Sequence, residues 1–190
     1  MRCMVCEDLS FKHICKACQN ELLSPSFFKR KLLGKIPVYS FYKYQDIESL
    51  LLTKHTDLGY YIYTILAENS FTPFAHDFIF EKRICSLSID DHVKNGYSHT
   101  AILNKALKSA QIKPRYSKLR ALSSTSYSGK DYQFRLLNPR HFHMKDFEED
   151  DVILIDDIIT TGLTLTQAVQ CVESKGKNVL FCLTLADARN

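Results

Sequence analysis

The spacing of apolar residues changes several times along the chain, and each change marks an element. IPVYSFYKY (36–44) is dense in β-branched and aromatic residues and predicts a strand. Over 46–69 the apolar residues Ile47, Leu50, Leu51, Leu58, Tyr61, Ile62, Ile65 and Leu66 recur at helical spacing, with Gly59 as the point where the helix would divide in two. FIFEKRICSLSI (78–89) predicts a strand, SHTAILNKALKSA (98–110) a helix, YSKLRAL (116–122) a strand and VILI (152–155) another. A last helix is predicted over 163–174 with Gly176 as its stop, followed by the buried strand NVLFCLTLA (178–186). Strands alternating with helices predict an α/β fold, a mostly parallel sheet flanked by helices on both faces. SPSFFKRKLLGK, between Cys18 and Pro37, mixes turn residues with charge and predicts a boundary between a unit at 1–35 and another at 36–190.

Composition bounds this picture. A chain of 190 residues that is 45% apolar and 12% aromatic can bury one ordinary core and carry a small appendage. The net charge of +4 favours an anionic partner without demanding one. No apolar run approaches the ~20 residues that span a bilayer. The N-terminal MRCMVCEDLSFKH lacks the apolar stretch of a signal peptide. These features predict a cytoplasmic protein, in which seven cysteines point to metal or free thiols rather than disulfides.

Four of the seven are patterned. Cys3 and Cys6 form one CxxC and Cys15 and Cys18 a second, while Cys85, Cys171 and Cys182 sit singly in apolar segments. Each CxxC turn can aim two thiolates at one ion, and two turns complete the tetrahedral S4 shell suited to Zn²⁺. A closed S4 shell leaves no position for substrate, so the predicted site is structural. A segment of this size cannot build its own core and would be held by the metal. Arg2, Lys12 and Lys16 could offset part of the residual charge, and His13 is read as a loop histidine rather than a ligand.

VILIDDIITTGLT (152–164) carries the clearest chemistry. A buried strand ends in two carboxylates, Asp156 and Asp157, where ligands of open parallel sheets bind. A tight turn then feeds a helix, offering free backbone N–H groups backed by the helix dipole. Thr160, Thr161 and Thr164 add hydroxyl donors. The turn suits a phosphate and the carboxylates suit two neighbouring sugar hydroxyls, together a pocket for a ribose bearing a 5-phosphate.

This stretch resembles the loop of type I phosphoribosyltransferases that holds phosphoribosyl diphosphate (PRPP). The resemblance implies that Asp156, Asp157, Ile158, Ile159, Thr160, Thr161, Gly162, Leu163 and Thr164 line a PRPP site, with Mg²⁺ accompanying the diphosphate. Leu163 stands where the family usually has a small residue. A four-cysteine ribbon ahead of such a domain is similar to the ComF family of natural transformation (competence) proteins, over nearly the whole chain. IESLLLTKH resembles that family's Lys-aromatic segment, which adds Lys54 to the PRPP site, with His55 in the aromatic position. KNGYSHTAIL, with Gly96 and Tyr97, resembles its Gly-Phe-Asn-Gln helix entry. SGKDYQFRLLN, with Gly129, Arg135 and Asn138, resembles its flexible loop. SLSIDDHVKNG departs from the family's Pro-Leu-His-Pro run and arginines, and Asp90 and Asp91 there are read as solvated charges. No catalytic residue stands out.

Residues 113–145 hold eight Lys or Arg against one acidic residue, Asp131, interleaved with aromatics, and 27–44 add five more basic residues. Basic side chains attract phosphates and exposed rings stack on bases. With the family resemblance, this predicts single-stranded DNA as a partner, contacted by Lys29, Arg30, Lys31, Arg120, Lys130, Arg135 and Arg140. The resemblance further implies partners in an inner-membrane DNA-translocation machinery, placing the cytoplasmic chain peripherally at that membrane. The alternative reading is an active phosphoribosyltransferase of nucleotide salvage or synthesis, although no base-recognition hood or ammonia-supplying domain is visible. A ribbon-bearing structural adaptor is a third reading, and it gives the acid pair no role.

Overall fold

The computed structural model describes residues 1–89, 96–123 and 132–189, without the side chains of Tyr132, Arg135 and Leu136. Its centre is a six-stranded sheet. Strands β1 (Phe28–Leu32), β2 (Ile36–Lys43), β3 (Ile84–Ser88), β4 (Ile112–Arg115), β7 (Asp151–Ile159) and β8 (Asn178–Asp187) are arranged β1-β2-β8-β7-β3-β4. The β1–β2 pair is antiparallel and the other pairings are parallel. A separate two-stranded ribbon joins β5 (Leu119–Ala121) to β6 (Phe142–Met144).

Strand β7 shows how sequence alternation builds two cores. Ile153 and Ile155 face one side, with Ile62, Tyr63 and Leu66 of helix α3 (Asp57–Asn69), Phe71 of α4 (Phe71–Asp77) and Leu103 of α5 (His99–Ala106). Val152 and Leu154 face the other, with Leu165, Val169 and Val172 of α7 (Leu163–Ser174) and with Leu119 and Met144 of the ribbon. All four β7 residues are fully buried, so truncating one to alanine would cost roughly 2–5 kcal/mol.

The connections define where a ligand can enter. β3 leads through α5 to β4 on one side, whereas β7 leads through α7 to β8 in the opposite direction and on the opposite face. The strand order therefore reverses between β3 and β7. Open α/β sheets bind ligands in the crevice this creates beyond the strands' carboxyl ends.

Helix α7 spans the predicted 163–174. Its end is a Schellman motif: the Gly176 N–H donates to Glu173 O and the Lys177 N–H to Val172 O, with Gly176 at φ +76°. Other expectations are corrected. The helical pattern over 46–69 breaks before Gly59, into α2 (Tyr44–Leu51), a 3-10 turn (Leu52–His55) and α3, which Thr56 caps by accepting from Gly59 N. Gly59 is there for close approach, since a Cβ would collide with Thr53 O and the Tyr97 hydroxyl. The strand predicted over 78–89 is confined to β3, because α4 occupies 71–77 and Phe78 and Phe80 pack on the aromatic cluster instead. The strand predicted over 116–122 shrinks to β5 and lies outside the main sheet, whose edge is β4; Pro114 is tolerated there because an edge strand spares one N–H. The boundary expected at 35/36 stays an expectation; the 18–37 stretch takes in the end of helix α1 (Lys16–Leu22) and β1, which turns into β2 through Leu33 and Gly34, both at positive φ.

The cysteine-bearing segment leans on the same core. Cys3, Ile14, Cys18 and Leu23 belong to the cluster under α3 and α4. Asn69 donates to the buried Gln19 side chain, Tyr42 OH donates to Leu23 O, and Lys12 pairs with Glu68. Among the described residues no helix is long and apolar enough to cross a membrane.

Candidate functional site

The four predicted cysteine ligands converge. The sulfurs of Cys3, Cys6, Cys15 and Cys18 lie within 4.8 Å of one another, and Cys6 Sγ and Cys15 Sγ are 3.7 Å apart. A Zn–S bond of about 2.3 Å sets tetrahedral sulfurs ~3.8 Å apart, so the donor set fits Zn²⁺. The N–H groups of Val5 and Cys15 donate to Cys3 Sγ, and that of Cys18 to Cys15 Sγ. The Cys15 and Cys6 N–H groups lower the Cys3 thiol to about 6 against its burial, whereas the Cys15 side chain and burial push Cys18 up. Four sulfurs this close cannot all ionise unless a cation joins them. His13 packs at a tilt against Tyr61 of α3, with ring centroids 4.8 Å apart, and is not among the converging groups.

The acid pair lies in the carboxyl-terminal half of β7, beside the reversal between β3 and β7. Successive strand residues point to opposite faces, yet both carboxylates lie close enough to Tyr63 to raise its phenol. Asp157 faces α3 and α5. Its Oδ2 accepts from Lys54 Nζ at 2.9 Å and lies 3.3 Å from His99 Nε2 and 3.5 Å from Tyr63 OH, while Oδ1 accepts from Ile158 N at 2.8 Å. Burial raises the Asp157 carboxyl, but Lys54 and His99 outweigh it and hold the group well below the usual carboxylate range. The same burial, with Asp157 alongside, drives Tyr63 well above the ordinary phenol value. Asp156 lies on the α7 side, where its charge adds to the burial that raises Cys182; its Oδ1 accepts from Asp157 N.

Lys54 is set by its own local structure. It sits on the 3-10 turn, and Tyr97 OH donates to both Lys54 O and Thr56 O, a bond that Gly59 makes room for. His99 opens α5 behind its N-cap Ser98 and packs edge-on against Tyr63. His99 and Tyr63 were not legible as site residues. A Ser-His helix start was visible, but nothing local ties it to an aspartate 58 residues away.

Beyond the acid pair the chain makes the predicted turn. Ile158 and Ile159 complete β7, and Thr160 and Thr161 lead into Gly162. Gly162 is the N-cap of α7 at φ +84° and has no side chain to cap the helix; Thr161 Oγ1 accepts from Leu163 N at 3.4 Å, and the following first-turn N–H groups face a ligand position. Leu163 and Thr164 are half-buried in that first turn. The turn forms one wall of a cleft of ≈ 490 Å³ on its β1 side, whose other walls come from Arg30, Lys31, Leu32, Ala188 and Arg189.

Among the described residues the predicted DNA contacts differ in exposure. Lys29 and Lys31 are exposed on β1, Lys29 over the Tyr39 ring, and Arg120 is exposed on β5. Arg30 and Arg140 are buried at 8% exposure each. Arg30 corrects the expectation of a solvent-facing contact: its guanidinium is engaged by Thr160 O and Asp187 inside the molecule. Lys113 and Arg115 are paired with Glu148 and Glu149, just outside the basic stretch, so its excess charge is smaller than the sequence count suggests. Lys130, the Arg135 side chain, Asp90, Asp91 and Gly129 lie outside the described residues.

No protein-family model matches the chain, and no curated protein does. Solved structures are similar to it at a distance. A hypoxanthine phosphoribosyltransferase from Staphylococcus aureus is 20% identical over 66% of this chain and 62% of its own, with a TM-score of 0.39. Orotate phosphoribosyltransferases from Aeropyrum pernix and Mycobacterium tuberculosis H37Rv are 14% and 16% identical, cover 89% and 88% of this chain and 78% and 81% of their own, and give TM-scores of 0.40 and 0.38. The chain thus spans less than two thirds of the S. aureus enzyme. At these values no residue role transfers.

Proposed function

We propose that the chain binds PRPP with Mg²⁺ at the carboxyl end of β7 and serves natural transformation by handling incoming single-stranded DNA in the cytoplasm. One observation carries the ligand: a buried acid pair leads within three residues into a Thr-Thr-Gly helix start whose N-cap is glycine, at the point where the strand order reverses. Asp156 and Asp157 would accept from the ribose hydroxyls, and the turn from Thr160 to Thr164 would hold the 5-phosphate. Mg²⁺ would neutralise the diphosphate, since it binds substrate phosphates through few protein ligands. Lys54 would move from Asp157 to the diphosphate as the ribose takes its place.

The DNA role is supported by the exposed Lys29, Lys31 and Arg120 and by the half-exposed Tyr116 close by in sequence. Lys130 and Arg135 belong to the same proposed track, whereas Arg30 and Arg140 do not. The inner-membrane DNA-translocation machinery is the proposed protein partner, and Zn²⁺ on the four cysteines the proposed structural metal. The alternative is a working phosphoribosyltransferase of nucleotide salvage or synthesis.

Incubating the protein with PRPP, Mg²⁺, single-stranded DNA and nucleobases, and assaying released diphosphate, separates the two. Binding of PRPP without base-dependent release supports the DNA-handling role, as does a deletion strain that grows normally but fails to transform. Base-dependent diphosphate release, or a purine auxotrophy on deletion, supports the transferase.

A further inference from the structure

Strand β1 lies 130 residues before the phosphate turn in sequence but touches it at two points. Arg30, with its side chain 6% exposed, donates from Nη2 to Thr160 O at 2.8 Å, and its Nη1 lies 3.4 Å from Asp187 Oδ1. Asp187 ends β8 and also takes Arg189, so Arg30 ties the ends of β7 and β8 to the sheet edge. Two residues along the same face of β1, Leu32 abuts the turn's glycine. A Cβ on Gly162 would lie 2.6 Å from Leu32 Cδ2.

The Thr160 carbonyl and the Thr161 N–H belong to one peptide group. The chain has no cis peptide bond among the described residues, so this group is trans and planar, and its C=O and N–H point in opposite directions. A guanidinium bound to the carbonyl therefore fixes the Thr161 N–H to face away from β1. It also polarises the peptide, which strengthens that N–H as a donor. We propose that Arg30 is a positioning residue: it lines the cleft on the β1 side of the turn, and it orients and polarises the Thr160–Thr161 peptide so that the Thr161 N–H, on the opposite side, is ready for the 5-phosphate. This rests on the phosphosugar reading of the turn. It also gives β1 a function that its basic sequence, FKRKL, does not suggest.

The test uses ribose 5-phosphate as the probe, with calorimetry for affinity and the ¹⁵N–¹H resonance of Thr161 for the peptide. The wild type should bind, and its Thr161 amide proton should move downfield on saturation. Arg30→Met should bind about tenfold or more weakly, the size of one charge-assisted hydrogen bond, and lose the downfield shift. Arg30→Lys keeps a charge beside Asp187 but not the planar fork, and should fall in between. An Arg30 that is only structural would lower the melting temperature while leaving both readouts at the wild-type value well below it. That result in a folded Arg30→Met overturns the proposal; should Arg30→Met not fold, the same result in Arg30→Lys overturns it. A wild type that does not bind ribose 5-phosphate would instead remove the phosphosugar reading, and this proposal with it.

Discussion

The cysteine cluster and the acid pair both bring like charges together inside the molecule, but they settle the conflict differently. At the cysteines, the hydrogen-bond donors on the sulfurs are backbone N–H groups, and Cys3 and Cys18 are driven in opposite directions. Nothing in that cluster carries a positive charge, so the sulfurs need a cation from outside. Asp157 brings its own: Lys54 and His99 converge on one oxygen, and the carboxylate stays ionised despite burial. The first site could be completed by a metal, whereas the second holds its own counter-charge, which a ligand could displace. The proposed structural and ligand-binding roles rest on that difference.

Removing metal should break the comparison most forcefully. If free Zn²⁺ normally stands about a thousandfold above its dissociation constant, a chelator or Cys3→Ser should cost roughly 4 kcal/mol. Because Ile14 and Leu23 share the core of α3 and α4, the loss should reach those helices, and hydrogen exchange there should speed up while β7 and β8 stay protected. Elemental analysis should find one zinc per chain.

Acid pH should act next. Burial raises Glu149, but Arg115 and Lys113 bring it from 4.5 down to about 2. A lowered carboxylate pKa adds stability that is complete above the unfolded value and is lost as the pH falls through the folded one. Glu149 should therefore contribute at most about 3 kcal/mol above pH 4.5, fading toward pH 2. Denaturant melts across that window should be visibly flatter for Glu149→Gln.

The smallest effect belongs to DNA. Neutralising Lys29, Lys31 and Arg120 together should reduce the salt slope of single-strand binding by ~0.7 for each phosphate they no longer neutralise. Arg30→Met should leave the slope unchanged, because its guanidinium is spent on Thr160 and Asp187.

What was legible in the sequence follows the distance over which each feature is built. The CxxC pairs lie within sixteen residues, and local turns bring them together, so spacing alone found the cluster. Helix α7 was bounded correctly because its start and stop are both glycine signals in the chain itself. β7 was recognised from VILI, yet it continues through the acid pair to Ile159, since pairing with β8 overrides the polarity of two aspartates. β4 hid behind Pro114 and two basic residues. His99 is not legible as a site residue, and Arg30 reads as a DNA contact rather than a partner of Thr160, because their partners lie 58 and 130 residues away, a proximity that only the strand order creates.

The central claim is that the acid pair receives a phosphorylated ribose, and calorimetric titration with PRPP and Mg²⁺ tests it most directly. The wild type should bind, and Asp156→Ala combined with Asp157→Ala should weaken binding by about 3 kcal/mol or more, at roughly 1.5–3 kcal/mol for each charged hydrogen bond. Equal affinity of the wild type and a folded double variant, or no binding by the wild type, would contradict it.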